Sequence, residues 1–148
     1  MIRWLQHEDG EGRFKSIFFR NDENEDELIV YANSDSSDFM ECAEMCVEAF
    51  NNLTGPIINE ICQKLIDCAQ KGDGLNEEFE LPTLNSPLDI LKYCWFMTLY
   101  VDMGSKDDKV AYAVEGEGEW GENIGFVIND DSVIYVGTDY LDHMKNTQ

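Results

Sequence analysis

Apolar and polar positions alternate near both ends of the chain, and this alternation predicts strands. Residues 13–20 (RFKSIFFR) and 27–33 (ELIVYAN) are β-branched and aromatic runs joined by a polar turn, which predicts an antiparallel hairpin. Strand-like runs return in the last third of the chain, at residues 95–103, 109–120, 125–128 and 133–137. The last two flank Asn129-Asp130-Asp131-Ser132, a sequence typical of a second hairpin turn.

Helical spacing replaces this alternation in the middle of the chain. Apolar residues recur every three or four positions from residue 39 to 53 and again from 57 to 69, and Thr54-Gly55-Pro56 separates the two runs. Ser86-Pro87 predicts a short helix that ends near Tyr93. Two strands, helices and a four-stranded meander predict an α+β fold: an antiparallel sheet, made of the N-terminal hairpin and the C-terminal meander, with a helical hairpin packed on one face. The length of 148 residues indicates a single domain, residues 1–148.

The net charge of −21, from 31 acidic and 10 basic side chains, changes the functional picture. The excess is spread evenly: residues 1–37, 38–75 and 76–108 carry −5 each, and residues 109–148 carry −6. Such a field repels nucleic acid and anionic lipid and attracts basic proteins. We therefore expect a basic protein partner, with no binding to nucleic acid or membrane. Solubility alone is the alternative explanation of the charge.

Three features predict a cytoplasmic protein. Residues 1–10 contain no apolar core or cleavage site of a signal peptide. The longest apolar run, residues 93–101, is too short to span a bilayer. The cysteines are odd in number and form no C-x-x-C motif, which favours reduced core thiols; they are Cys42, Cys46, Cys62, Cys68 and Cys94.

Residues 116–121 (GEGEWG) have the glycine spacing of a dinucleotide-binding turn. That motif must lead from a strand into a helix, whose amides hold the pyrophosphate, but here a strand-like run follows. Glu117 and Glu119 would also repel a dianionic ligand. The motif is therefore interpreted as a turn between strands, and no cofactor is expected.

Metal binding and catalysis receive equally little support from the sequence. Residues 22–33 offer oxygen ligands at the start of a calcium loop, but Glu27 and Asn33 stand where glycine and a bidentate acid are required, so no metal is expected. His7 and His143 are the only histidines, and no motif of a nucleophile with its base occurs. The chain is accordingly predicted not to be an enzyme. An enzyme built on scattered carboxylates or a metal remains the third hypothesis.

Acidic side chains are interleaved with aromatic ones near the C-terminus, which is the pattern of a surface that captures a Lys/Arg-rich partner. The candidate partner-binding residues are Glu115, Glu117, Glu119, Trp120, Glu122, Asp139 and Tyr140. Alternatively, Trp120 belongs to the core, and the glutamates keep an edge strand soluble.

Residues 117–128 and 133–137, from Glu117 through the strand that ends in Tyr-Val-Gly, resemble the tail of a group of small bacterial domains of unknown function. Some members of that group resemble the immunity proteins that protect bacteria from polymorphic or contact-dependent toxins. The group often has a histidine where this chain has Ile124, so no role of that histidine carries over. The resemblance implies an immunity protein that neutralises a cognate toxin, and the charge of this chain predicts that the toxin is basic, such as a nuclease domain. The alternative is an acidic nucleic-acid mimic or general protein-interaction module.

Overall fold

The fold is built on one sheet whose strands follow chain order. The computed structural model describes residues 3–4, 11–16, 19, 27–31, 37–71, 80–101, 111–129 and 132–140. Within them, the sheet has seven strands: β1 (Arg3–Trp4), β2 (Glu11–Lys15), β3 (Glu27–Tyr31), β4 (Cys94–Val101), β5 (Ala111–Gly118), β6 (Glu122–Asn129) and β7 (Ser132–Gly137). Neighbouring strands are antiparallel except for β3 and β4, which are parallel.

The parallel pair follows from the helices between its strands. The chain leaves β3, forms α1 (Ser37–Asn51), α2 (Gly55–Lys71) and a short 3₁₀ helix (Pro87–Lys92), and returns as β4 in the same direction. Ser86 caps the 3₁₀ helix, since its Oγ accepts a hydrogen bond from the amide of Leu88 at 3.3 Å. No helix in the described part of the chain has the length and apolar character needed to cross a bilayer.

The helices cover one face of the sheet, and the main core lies between the helices and that face. At its centre, the Phe19 ring stacks on Phe50 of α1 with centroids 5.3 Å apart, and it meets Phe96 of β4 edge-on at the same distance. Phe126 of β6 completes this aromatic cluster, 5.1 Å from Phe19. One apolar face of α2 is buried against the same core, through Ile58, Ile61, Cys62, Leu65 and Ala69.

A bulge in β4 decides which of its side chains reach the opposite side of the sheet. Phe96 pairs with Gly116, whereas Thr98 pairs with Glu115, so Met97 is an extra residue in β4. Without the bulge, strict alternation would place either Phe96 or Leu99 on the wrong side, but both are buried in the main core. Trp95, Thr98 and Tyr100 consequently lie on the sheet face that α1 and α2 do not cover, which we call the second face.

The predicted α+β class and the packing of the helices on the sheet are confirmed. The helical hairpin, the 3₁₀ helix and the C-terminal meander all lie where the sequence pattern placed them. The N-terminal hairpin is also present, but its first strand is Glu11–Lys15 and not residues 13–20, and its predicted turn, 21–26, lies outside the described residues. The sheet is not purely antiparallel, because the helical crossover makes β3 and β4 parallel.

Candidate functional site

The seven predicted partner-binding residues separate into two groups in the structure. Glu115 and Glu117 of β5 lie on the second face, and Tyr140 and Asp139 follow β7 close to them. The second group comprises Glu119, Trp120 and Glu122, which form the turn between β5 and β6 and the start of β6. The structure therefore does not gather the predicted residues into one patch.

The β5–β6 turn explains the glycine pattern of residues 116–121. The amide of Gly121 donates to the carbonyl of Gly118 at 3.0 Å, and Gly121 has a φ of 93°, a conformation that favours glycine. A Cβ on Gly118 would lie 2.5 Å from the ring of Trp120, so a side chain there would displace the indole. The motif joins two strands, which confirms the prediction of a turn.

Trp120 is a core residue, so the expectation that its ring is exposed is wrong. Its side chain is only 2% exposed and belongs to the main core, because it folds back over Gly118 on the helix side of the sheet. Its Nε1 donates to Oε1 of Glu122 at 2.8 Å, which satisfies the buried indole. The alternative that placed Trp120 in the core is confirmed, although β5 is not an edge strand, since it lies between β4 and β6.

Glu115 on the second face is bonded through its carboxylate to two tyrosine side chains. Its Oε2 accepts a hydrogen bond from the hydroxyl of Tyr140 at 2.5 Å. The hydroxyl of Tyr100 lies 3.3 Å from Oε1 and 3.4 Å from Oε2 of the same carboxylate. We call Glu115, Tyr100 and Tyr140 the tyrosine–carboxylate cluster. In this arrangement two phenols fix the position of one half-buried carboxylate.

The electrostatics of the cluster keep the proton on the tyrosine. Burial raises the pKa of Tyr140, and the hydrogen bond to Glu115 and the charge of that carboxylate raise it further. Tyr140 is therefore a hydrogen-bond donor and not a general base at neutral pH. Because Tyr140 is only 6% exposed, the expectation that its ring forms an exposed contact surface is wrong; its ring is packed and its hydroxyl serves Glu115.

Glycine makes room for the tyrosine–carboxylate cluster. Gly125 of β6 pairs directly with Glu115, and a Cβ on Gly125 would lie 2.6 Å from Cγ of Tyr140. The Tyr140 ring thus rests on the backbone of β6, and its hydroxyl reaches across to β5. The chain approaches this position after β7, where the amide of Asp139 donates to the hydroxyl of Tyr135 at 3.0 Å. Tyr140 also packs with Ala113 and Val127 in a second small apolar cluster.

A more exposed row of side chains lies beside the tyrosine–carboxylate cluster, toward the β5–β6 turn. Trp95, Glu117 and Asn123 are cross-strand neighbours on β4, β5 and β6, so their side chains share the second face. Trp95 and Glu117 are half-buried and Asn123 is exposed. This row places the ring of Trp95 next to the carboxylate of Glu117. The sequence pattern predicts such a surface pair at Trp120, whose ring is buried.

The helix side of the molecule carries a different feature, a shallow groove between α2 and the segment before the 3₁₀ helix. Its volume is about 370 Å³. Its lining is made of amide, hydroxyl and apolar side chains: Gln63, Ile66, Gln70, Leu81, Pro82, Thr83, Leu84, Asn85, Ser86 and Pro87. None of the described residues that line this groove carries an ionisable side chain.

The described residues also bear on metal binding and on thiol chemistry. They contain no group of three or more His, Cys, Asp or Glu side chains placed to hold a metal ion. None of the five cysteines forms a disulfide, and Cys46, Cys62 and Cys94 are buried, which agrees with their prediction as core thiols. Burial raises the pKa of Cys62 to about 11, so its thiol stays protonated at neutral pH.

Residues 3–144 match a family model described as Domain of unknown function (DUF6985). The chain belongs to this family. No curated protein and no solved structure matches the chain. The DUF6985 match spans both faces of the sheet, including the tyrosine–carboxylate cluster and the β5–β6 turn.

Sequence reasoning missed Trp95, Thr98 and Tyr100 in this DUF6985 chain. Because the run 95–103 was treated as a strand with no assigned faces, its contribution to the second face could not be foreseen. Trp95 pairs with Glu117 and Thr98 pairs with Glu115 in the structure, and the Met97 bulge hides this register in the sequence.

Proposed function

We propose that this protein is an immunity-type inhibitor that binds and neutralises a basic toxin, most simply a nuclease domain. The observation that carries the proposal is the net charge of −21, spread over all parts of the chain. A protein with this charge attracts a cationic surface over long distances and speeds the encounter. A nuclease must be positive where it grips phosphate, so an acidic protein can occupy that surface in place of nucleic acid.

The positions of the acidic side chains support this proposal. Glu41 and Glu48 of α1 and Glu119 in the β5–β6 turn are exposed, as is Asp139 after β7. Helix α1 contains no lysine or arginine to offset its acids. Negative charge is therefore presented by both the helical layer and the sheet. The resemblance of residues 117–128 and 133–137 to a group of bacterial domains of unknown function, some of which resemble immunity proteins, favours the same function.

A capture experiment tests the proposal. The tagged protein is used to isolate partners from bacterial lysates, and the partners are identified by mass spectrometry and then purified. We expect a basic toxin whose nuclease activity falls to background at one equivalent of this protein. The association rate should fall at least about tenfold between low and physiological salt, because charge steers the encounter. A partner bound equally fast at both salt concentrations would contradict the proposal.

The same experiment separates the alternative function. A nucleic-acid mimic would capture a DNA-binding host or defence protein, and its binding would compete with added DNA. Capture of such a protein in place of a toxin would replace the immunity function with mimicry. The electrostatic part of the proposal would then stand and the toxin part would fail.

A further inference from the structure

We infer that the acidic end of the second face is the receptor for an arginine or lysine side chain of the partner protein. The receptor consists of the carboxylates of Glu115 and Glu117, with the rings of Trp95 and Tyr100 beside them. This inference rests on the proposed function and adds to it the surface and the group that is recognised.

The register places these groups next to one another. Glu115 and Glu117 are two positions apart on β5, so their side chains emerge on the same face, roughly 7 Å apart along the strand. Trp95 is the direct cross-strand neighbour of Glu117, and Thr98 is that of Glu115. In antiparallel pairs the Cβ atoms of such neighbours lie about 5 Å apart. One cationic side chain can therefore reach a carboxylate and an aromatic ring together.

The tyrosine–carboxylate cluster holds one carboxylate of this surface in a fixed position where it can bind a cation. The hydroxyls of Tyr140 and Tyr100 donate to Glu115, which fixes the carboxylate before any partner arrives. A phenol donates a hydrogen bond without carrying a positive charge, so the negative charge of Glu115 is held in place and not cancelled. A guanidinium can pair with a fixed carboxylate and lie flat on an aromatic ring. An ammonium can pair with the same carboxylate and sit over the ring as a point charge.

Charge also decides which occupant suits this face. A second copy of the chain carries −21 as well, so its approach is opposed. Arg13 and Lys15 also lie on the second face, but on β2, three strands from β5, which is roughly 14 Å at the usual strand spacing. The acidic end of the face is thus separated from these cations, and a basic segment of another protein is the occupant that matches it.

The test uses an oligo-arginine peptide as the probe and isothermal titration as the measurement. Glu117→Gln and Glu115→Gln each remove one charge from the proposed receptor. Glu41→Gln and Glu48→Gln remove the same charge from exposed positions on α1 and serve as matched controls. We expect the receptor double variant to bind the peptide at least tenfold more weakly than the wild-type protein, and the α1 double variant less than threefold more weakly.

Glu117→Gln alone keeps the test valid if loss of the Glu115 charge unfolds the protein, because Glu117 is outside the tyrosine–carboxylate cluster. The indole resonance of Trp95 should move on titration with the peptide, whereas that of the buried Trp120 should not. Equal weakening by the receptor and α1 variants would overturn the receptor and leave the proposed function intact. No peptide binding by the wild-type protein would overturn both.

Discussion

The hydroxyl of Tyr140 donates a hydrogen bond to Oε2 of Glu115 at 2.5 Å, and these two residues are 25 positions apart. This contact ties the segment after β7 to β5, an inner strand of the C-terminal meander. It also orients the carboxylate from which the proposed receptor is built. The same pair therefore links the stability of the C-terminal part of the sheet to the arrangement of charge on the second face.

A double-mutant cycle measures this link. Tyr140→Phe removes the donor and leaves the packed ring, so we expect it to lower the free energy of unfolding by about 1–2 kcal/mol. Glu115→Ala removes the acceptor, and the coupling between the two changes should be about 1 kcal/mol. Urea unfolding of the four proteins gives both quantities. Additive losses would mean that the hydroxyl and the carboxylate do not stabilise each other in solution.

The raised pKa of Tyr140 predicts a loss of stability at alkaline pH. The folded protein holds the phenolic proton more tightly than the unfolded chain, whose tyrosine titrates near the ordinary value of 10.0. The contribution of Tyr140 is therefore complete below about pH 10 and falls as the pH rises further. Phenolate absorbance and urea unfolding, followed together from neutral to alkaline pH, should place the titration of Tyr140 in the folded protein at a higher pH than in the urea-unfolded protein.

Tyr140→Phe provides the control for that pH dependence. The variant lacks the phenolic proton, so its stability should fall less steeply above about pH 10 than that of the wild-type protein. The variant must still lose some stability at alkaline pH, and this loss begins near pH 9, because burial raises the pKa of Cys62 from 9.0 to about 11. If the two proteins lost stability in parallel, Tyr140 would have no linkage to folding.

Most elements of the fold were predictable from the sequence because each follows from local pattern, whereas the two-residue strand β1 (Arg3–Trp4) was not predicted. The spacing of apolar residues defines α1 and α2, and Ser86-Pro87 marks the start of the 3₁₀ helix. The parallel pairing of β3 and β4 was not predictable in this way, because it joins segments more than sixty residues apart. The faces of β4 were equally hidden, since one extra residue, Met97, reverses its alternation.

The candidate site was only half predictable for a related reason. Glu115 and Glu117 alternate along β5, so their shared face could be read directly from the sequence. Trp120 lies next to them in the chain, but its turn carries the ring over Gly118 into the core. A tryptophan flanked by acidic residues gives the same sequence pattern whether its ring is exposed or buried. The space above a glycine decides between the two, and only the packing reveals that space.

Cysteine labelling tests the placement of the thiols. In the folded protein, the buried Cys46, Cys62 and Cys94 should resist an alkylating reagent, and the half-buried Cys42 and Cys68 should react first. For Cys62, a pKa raised from 9.0 to about 11 lowers the thiolate fraction near neutral pH roughly a hundredfold. Peptide mapping by mass spectrometry identifies the modified sites, with urea-unfolded protein as the fully labelled control. Early modification of Cys62 would contradict its burial against the sheet.

Gly118 provides the sharpest test of the β5–β6 turn. In Gly118→Ala the new methyl group would meet the ring of Trp120 at 2.5 Å. Since the indole is buried and its Nε1 is bonded to Glu122, it cannot move aside without loss. We expect the free energy of unfolding to fall by about 1–3 kcal/mol, as is usual for overpacking.

Gly55→Ala is the matched control for that substitution. It makes the same chemical change at the start of α2, where no atom lies within 4 Å of the added Cβ, so its effect should be neutral or stabilising by up to about 1 kcal/mol. Urea unfolding gives the stability of both variants, and the indole N–H resonance of Trp120 reports whether its ring is displaced. If Gly118→Ala were as stable as Gly55→Ala, Trp120 would not pack over the turn. An exposed Trp120 would then rejoin Glu119 and Glu122 as a candidate anchor for the partner.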